Sequence, residues 1–262
     1  MNQTIDDLPM VVAALLFSIA FFIVYFLYHL PRRALAKKAA AILKLASLHI
    51  GGTVKEGWYS ARLTSRRYGR EAIVRLYPVD SDGEVMLALK MGLSLKVRGG
   101  FLISPLERPE TQTPGALLET LGILSIGPVV IVDNPEMDQR FRVISFHQDF
   151  VRNNLRSNKK AEAVSRAFGL GAAYMLFNGK RITLIWDPFS TEELELAPSM
   201  FEKSLSALGD IAEGMIPAAS TGISDSFESL KKVDILSVIL IFSGGIIYFI
   251  IKLLTFLNEV LE

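Results

Sequence analysis

The three histidines are the first residues to test for acid–base or metal chemistry. His29 ends an apolar run and His49 lies in the basic segment that follows, and neither has the spacing of a metal site or a triad. His147 lies near Asp138 and Asp149, the one arrangement suited to general acid–base catalysis. A histidine at a strand-to-helix junction more often caps the helix or contacts water. We therefore expect no catalytic residues, and a membrane-bound hydrolase using His147 and Asp149 is the third of three functional hypotheses.

Motifs for cofactors and metals are missing from the sequence. The chain contains no GxxxxGK[ST], GxGxxG, GxSxG or HExxH pattern. It has no cysteine, which excludes disulfides, thiolate catalysis and Cys-ligated metals. The stretch DSDG, Asp80 to Gly83, resembles the start of a calcium loop, but the later ligands do not follow, so it predicts a turn. We expect no cofactor and no metal.

Arginine is concentrated in a predicted hairpin at residues 62–75, which includes Arg75 and also contains Tyr68; we call it the arginine hairpin. Arginine binds phosphates well, and for a domain held at a membrane the nearest phosphate is a lipid headgroup. The net charge of +1 gives no support to nucleic acid, so we rank lipid above it. A solvated arginine cluster without a ligand is the alternative. The candidate lipid or phosphate contacts are Arg62, Arg66, Arg67 and Arg70 here, and Arg32, Arg33, Lys37 and Lys38 nearer the N-terminus.

Two apolar runs, Met10–Leu30 and Ile235–Ile251, lie near the ends of the chain. A helix needs about 20 apolar residues to cross a bilayer. The first run meets this length, and the second reaches it if Lys252 extends its ammonium to the headgroups. Asp6 and Asp7 precede the first run where a cleaved signal peptide would be positive. The sequence thus predicts two transmembrane helices.

Lysine and arginine follow the first run and precede the second, where Lys231 and Lys232 stand. Because such positive flanks stay in the cytoplasm, both runs predict one orientation. We expect a two-pass protein of the inner (plasma) membrane, with a cytoplasmic central part and both termini outside. The small residues Ser243, Gly244 and Gly245 are the predicted helix-packing patch in the second span.

The central part has the period-two pattern of strands, in segments such as 59–65, 71–77 and 85–91. A hairpin turn at Gly69 is expected between the first two segments, and a further turn is expected at NPEMD, residues 134–138. Residues 148–168 predict one helix or two short ones, and Asn178-Gly179 predicts a hairpin with a type I′ turn. Strands and helices do not alternate regularly, so we expect an α+β fold with a mainly antiparallel sheet. The predicted division is 1–30 transmembrane helix, 31–50 basic juxtamembrane helix, 51–216 cytoplasmic α+β domain, 217–233 linker, 234–257 transmembrane helix and 258–262 tail. Two arrangements of the 31–50 helix stay open, since it could extend the first span into the cytoplasm or lie along the membrane surface.

The segment DQRFRVISFHQDFVRNNL, residues 138–155, is followed by a predicted short helix, the hairpin 173–186 and the helix 191–216. This layout resembles uncharacterised membrane-anchored bacterial proteins in which an FD-x-x-F-x-V strand precedes a helix. Met137 stands where that motif has Phe. The resemblance covers about a third of the chain and implies a domain layout without an assigned activity.

The sequence therefore predicts a binding or scaffold protein rather than an enzyme. The first hypothesis is a membrane-anchored cytoplasmic module that is a subunit or assembly factor of a membrane protein complex. The second is a lipid- or phosphate-sensing module that uses the arginine hairpin. Membrane lipids and membrane proteins are the expected partners, nucleic acid is not, and the oligomeric state stays open.

Overall fold

The structure is a computed structural model that describes residues 8–81, 83–108, 128–190 and 198–217, with the backbone alone for residues 8–15. The chain divides after Tyr25. The first part of the N-terminal helix belongs to one compact unit, and the described residues from Phe26 onward belong to a second.

Helix α1 runs without interruption from Leu8 to Ile50 and contains Pro31. From Leu16 to Leu30 its large apolar side chains are between 42% and 74% exposed. It is the one helix in the described ranges that is long and apolar enough to cross a membrane. The second predicted span, 234–257, and its patch Ser243, Gly244 and Gly245 lie outside the described residues.

The C-terminal part of α1 packs on the sheet. The buried side chains on this part are small or aliphatic, and they are Ala36, Ala39, Ala40, Leu43, Ala46 and Ile50. Alanine has the highest helix propensity, and its small side chain lets the helix approach the sheet closely. Residues 31–50 therefore continue the first apolar helix into the domain, a choice that the sequence left open.

The sheet has eight strands in the order β1-β2-β3-β4-β8-β7-β5-β6, and every neighbouring pair is antiparallel. The strands are β1 Thr53–Glu56, β2 Ala61–Arg67, β3 Arg70–Ser81, β4 Glu84–Ser94, β5 Phe101–Pro105, β6 Phe141–Ile144, β7 Tyr174–Phe177 and β8 Arg181–Ile185. The α+β prediction with a mainly antiparallel sheet is confirmed.

Four further helices are described: α2 Pro135–Arg140, α3 Gln148–Leu155, α4 Asn158–Gly169 and α5 Pro198–Ala212. Segment 148–168 thus forms two helices, α3 and α4. Together with α1, these four helices cover the sheet face that carries Leu63, Leu76, Leu89 and Met91. The four side chains belong to one hydrophobic core. Strand residues at the alternating positions point to the opposite face of the sheet. We call it the open face, since it is exposed at Lys55, Arg62 and Arg75 on β1 to β3, although Leu102, Tyr174 and Leu176 on β5 and β7 are buried.

The turn at Asn178-Gly179 differs from the type predicted. Asn178-Gly179 lies in a hairpin, but Phe177 pairs with Ile182, and Asn178 is not among the positive-φ residues. The Asn178 side chain instead accepts hydrogen bonds from the N–H groups of Lys180 and Arg181, at 3.1 and 2.9 Å. The type I′ prediction is wrong here because this side-chain turn replaces it.

A two-residue turn with positive φ at both positions occurs between β2 and β3. There Tyr68 has φ 53° and Gly69 has φ 72°, and Arg67 pairs with Arg70. The prediction that Gly69 lies in a hairpin turn is confirmed.

Candidate functional site

A row of four cations crosses the open face of the sheet. Lys55 on β1 stands directly opposite Arg62 on β2, Arg62 stands opposite Arg75 on β3, and Arg75 stands opposite Lys90 on β4. With adjacent strands about 4.8 Å apart, the row is about 14 Å long. We call Lys55, Arg62, Arg75 and Lys90 the cation ladder.

The side-chain alternation of the strands places the ladder on this face. Val54, Leu63, Val74 and Leu89, which neighbour the ladder residues in sequence, belong to or pack against the core on the helix side. Successive strand residues point to opposite faces, so the ladder side chains point away from the helices. Lys55, Arg62 and Arg75 are exposed, and Lys90 is half-buried.

Few negative groups compensate the ladder. In the described part of the chain, its one ion pair joins Arg62 to Glu71 at 3.6 Å, and Glu71 is also 3.7 Å from Arg181. Arg75 and Lys90 instead lie over the ring of Tyr77, with Cζ and Nζ 5.4 and 5.1 Å from its centroid. Like charges directly opposite one another destabilise a sheet. The ladder therefore lowers the stability of the fold, and a bound anion would reduce this loss.

The basic surface extends beyond the ladder at one end of the face. A cavity of about 470 Å³ lies next to Arg181, and Lys96, Arg98 and Lys180 also line it. The Arg181 side chain crosses the sheet at Gly92, where a Cβ would lie 2.5 Å from Arg181 Cδ. Glycine at position 92 thus lets Arg181 lie flat between the ladder and this cavity.

The arginines predicted to bind lipid or phosphate do not form one surface. Arg62 belongs to the ladder, and Arg66 is exposed on the same face. Arg67 points to the helix side, where its Nε and Nη2 donate to the carbonyls of Ile50 and His49 at 3.1 and 3.3 Å. These contacts cap the C-terminal end of α1, where unpaired carbonyls attract a cation.

Arg70 makes a similar contact with the C-terminal end of α5. Its Nη1 donates to the Ala212 carbonyl at the end of α5, at 3.2 Å. Arg67 and Arg70 thus each hold a helix end against the hairpin. Lipid binding by these two residues stays a prediction, and any such contact would compete with their carbonyl partners.

The four basic residues after the apolar run differ in their surroundings. Arg32 is largely buried, pairs with the carboxylate of Asp80, and lies 3.4 Å from the centroid of the Tyr28 ring. Arg33 is exposed, as are Lys37 and Lys38. Arg32 therefore fastens β3 to α1, and the other three remain accessible to an anion.

The candidate acid–base residues do not form a catalytic group. Asp138 accepts hydrogen bonds from the backbone N–H groups of Val132 and Asn134, at 2.8 and 3.2 Å. The His147 backbone N–H donates to Ser145 Oγ at 2.9 Å. A shallow cavity of about 370 Å³ includes Asp149 but not His147 in its lining. These positions give the hydrolase hypothesis no supporting geometry.

Sequence reasoning missed Lys55, Lys90 and Tyr77 as candidate site residues. Each stands at an outward position of a strand with period-two alternation, which is a visible signal. The pattern does not say which outward residues face one another, because the register between strands decides that. Compared with protein-family models, curated proteins and solved structures, the chain has no match.

Proposed function

We propose that this protein is a membrane-anchored cytoplasmic binding module whose cation ladder docks an acidic segment of a partner in a membrane protein complex. The observation that carries the proposal is the direct register of Lys55, Arg62, Arg75 and Lys90 across four strands. A row of opposed cations costs stability, and a segment with several carboxylates would remove that cost on binding.

The anchoring part of the proposal rests on helix α1. Its exposed apolar stretch ends at Leu30, and Arg32, Arg33, Lys37 and Lys38 follow directly. This order supports insertion with the domain on the cytoplasmic side. The second apolar run supports a two-pass topology with both termini outside.

A partner in the same membrane suits a binding surface of this kind. Anchoring confines both proteins to one layer, which raises the effective concentration of the acidic segment near the ladder. Charge complementarity then sets the register of docking and speeds the encounter. Such a module would act as a subunit or assembly factor of the complex.

A second candidate function is lipid or phosphate sensing. The exposed Arg33, Lys37 and Lys38 directly after the apolar stretch favour it, because anionic headgroups attract basic residues at this position. The ladder would accept phosphates as readily as carboxylates.

The test compares two double variants of the tagged full-length protein, isolated from its native membrane in mild detergent. Arg75→Gln with Lys90→Gln removes two ladder charges that have no ion pair in the described structure. Lys44→Gln with Lys203→Gln removes two exposed charges elsewhere. We expect the first variant to lose proteins that co-purify stoichiometrically with the wild type and the second to keep them.

Three results would contradict the proposal. Partners that stay with the ladder variant would exclude the ladder as their docking surface. A wild-type protein that co-purifies with bound anionic lipid and no protein, and loses that lipid in the ladder variant, would favour the sensing function instead. Co-purifying nucleic acid lost in the same variant would assign the ladder to a third class of ligand.

A further inference from the structure

The loop between β1 and β2 presents a large exposed aromatic side chain. Gly57 N donates to the Ser60 carbonyl at 2.7 Å, which closes the loop. Trp58 within it is 58% exposed, and its indole N–H has no acceptor among the described residues. An exposed tryptophan with a free N–H is typical of positions where one end of the ring is apolar and the other is wet.

This loop is fastened to α1 at the point where the apolar stretch ends. The Tyr59 hydroxyl is hydrogen-bonded to His29 Nδ1, and the two rings are stacked with centroids 5.4 Å apart. Arg33 Cζ lies 4.5 Å from the centroid of the Trp58 ring. Trp58 therefore lies beside α1 between the level of its last apolar residues and the level of its first cations.

The apolar surface at this level of α1 is open. Phe26, Leu27, Tyr28 and Leu30 are each more than half exposed. If α1 crosses a bilayer, these residues lie at the edge of the hydrocarbon and Arg33 lies among the headgroups. Trp58 then lies at the depth where tryptophan is enriched in membrane proteins.

The same end of the sheet has a second attachment to α1. Asp80, near the end of β3, pairs with Arg32 one turn after Tyr28. At the other end of the sheet, Arg67 contacts Ile50, which is about 30 Å further along the helix than Leu30. The β1–β2 loop is thus on the sheet end nearest to the apolar stretch, and the arginine hairpin is on the far end.

We infer that Trp58 is a second membrane contact, inserted into the headgroup layer of the bilayer that α1 enters, with Arg33 binding a lipid phosphate beside it. This inference rests on the anchoring half of the proposed function and is independent of what the ladder binds. Two attachments, the helix and the loop, hold the sheet in one orientation to the membrane. The ladder would then face partners at a constant height.

The experiment uses fluorescence quenching, because the chain has two tryptophans. Trp186 is buried, and its indole donates to the Leu170 carbonyl at 3.1 Å. The full-length protein is placed in vesicles of anionic and zwitterionic phospholipid, with bromine on the acyl chains either near the glycerol ester or near the methyl end. We expect ester-proximal bromine to remove most of the Trp58 emission and methyl-end bromine to remove little.

Two variants isolate this signal. Trp58→Phe leaves Trp186 alone, and its emission should be unaffected by either lipid. Trp186→Phe leaves Trp58 alone and should show the full position dependence. If Trp186→Phe fails to fold, the difference between the wild type and Trp58→Phe gives the same quantity.

A parallel alkaline extraction shows whether the protein stays inserted. Unquenched Trp58 in a protein that resists extraction would overturn the inference and leave the anchor in place. A protein that leaves the vesicles would overturn the anchoring half of the proposed function, and the inference with it. Quenching in a protein that stays inserted but fails to bind any partner would support the inference alone.

Discussion

Arg75 stands directly opposite Lys90 on the neighbouring strand, and both cations lie over the ring of Tyr77. The aromatic face partly compensates the repulsion between them, since a ring attracts cations placed above it. Tyr77, which carries no negative charge, can therefore hold two like charges together on an accessible face. This arrangement leaves both cations available to a ligand.

Replacing Arg75 with glutamate should stabilise the fold and weaken partner binding. Arg75→Glu places a carboxylate between Arg62 and Lys90, which changes two repulsive cross-strand pairs into attractive ones. The two changed pairs should raise the free energy of unfolding by roughly 1–2 kcal/mol. Loss of the cation–π contact between Arg75 and Tyr77 removes about 0.5–1 kcal/mol of that gain, so we expect a net rise of roughly 0.5–1 kcal/mol. Chemical denaturation of the full chain in detergent measures it. Lys203→Glu makes the same change of charge on α5 and should have little effect; equal effects would show that the ladder carries no special repulsion.

Tyr77 should matter only while its two cations are present. Tyr77→Leu removes both cation–π contacts, so we expect a loss of about 0.5–1 kcal/mol of unfolding free energy for each at this half-buried site. In the background of Arg75→Gln with Lys90→Gln, the same substitution should cost less by that amount. A cost that is identical in the two backgrounds would mean that Tyr77 acts through packing alone.

Arg66 and Arg67, which are adjacent in the arginine hairpin, should differ in their effect on stability. Arg67→Ala removes the hydrogen bonds to the carbonyls of His49 and Ile50, and we expect a loss of about 1 kcal/mol. Arg66→Ala changes an exposed side chain and should alter stability by less than about 0.5 kcal/mol. Thermal unfolding of the two variants compares them directly, and a larger loss from Arg66→Ala would contradict the assigned cap.

Because of Lys160, the free energy of unfolding should rise with pH in the alkaline range. Its Nζ donates to the carbonyls of Asp210, Ile211 and Glu213 at the end of α5, and burial lowers its pKa from 10.5 to about 8. Between these two values the unfolded chain binds more protons at this residue than the folded chain. The contribution of Lys160 to the unfolding free energy therefore increases as pH rises from 8 to 10.5.

The measurement is the difference between the wild type and Lys160→Met in denaturation midpoint, taken at intervals from pH 7 to pH 10.5. The wild type should gain stability relative to the variant across the upper part of this range. The comparison removes the titration of other lysines and tyrosines, which both proteins share. A difference that stays constant with pH would show that the burial of Lys160 does not shift its titration.

Local pattern predicted most of the secondary structure. The predicted strands 59–65 and 71–77 correspond to β2 and β3, because alternating apolar residues and the Gly69 turn define a hairpin from neighbouring positions alone. Turn details were less predictable. The segment NPEMD, expected to be a turn, forms α2, since the Asn134 side chain accepts from Met137 N at 3.2 Å and caps it.

The candidate site was only partly predictable. The cluster of arginines in residues 62–75 was visible in the sequence, but adjacent strand residues point to opposite faces. Arg62 and Arg75 consequently lie in the ladder, while Arg67 points towards the helices. Lys55 and Lys90 belong to the site because β1 pairs with β2, and β4 with β3, in the register that aligns these residues. The contact between Tyr59 and His29 places Trp58 beside α1.

The sequence by itself determined the apolar stretch, the basic residues after it, the short-range hairpins and the α+β class, because each depends on residues within a few positions of one another. Only the tertiary structure decided that α1 continues from Leu30 to Ile50 on the sheet, that β8 pairs with β4, and that four cations align. The register that unites Lys55 with Lys90 is selected by packing of the opposite, apolar face against the helices, and this packing combines residues from the whole domain.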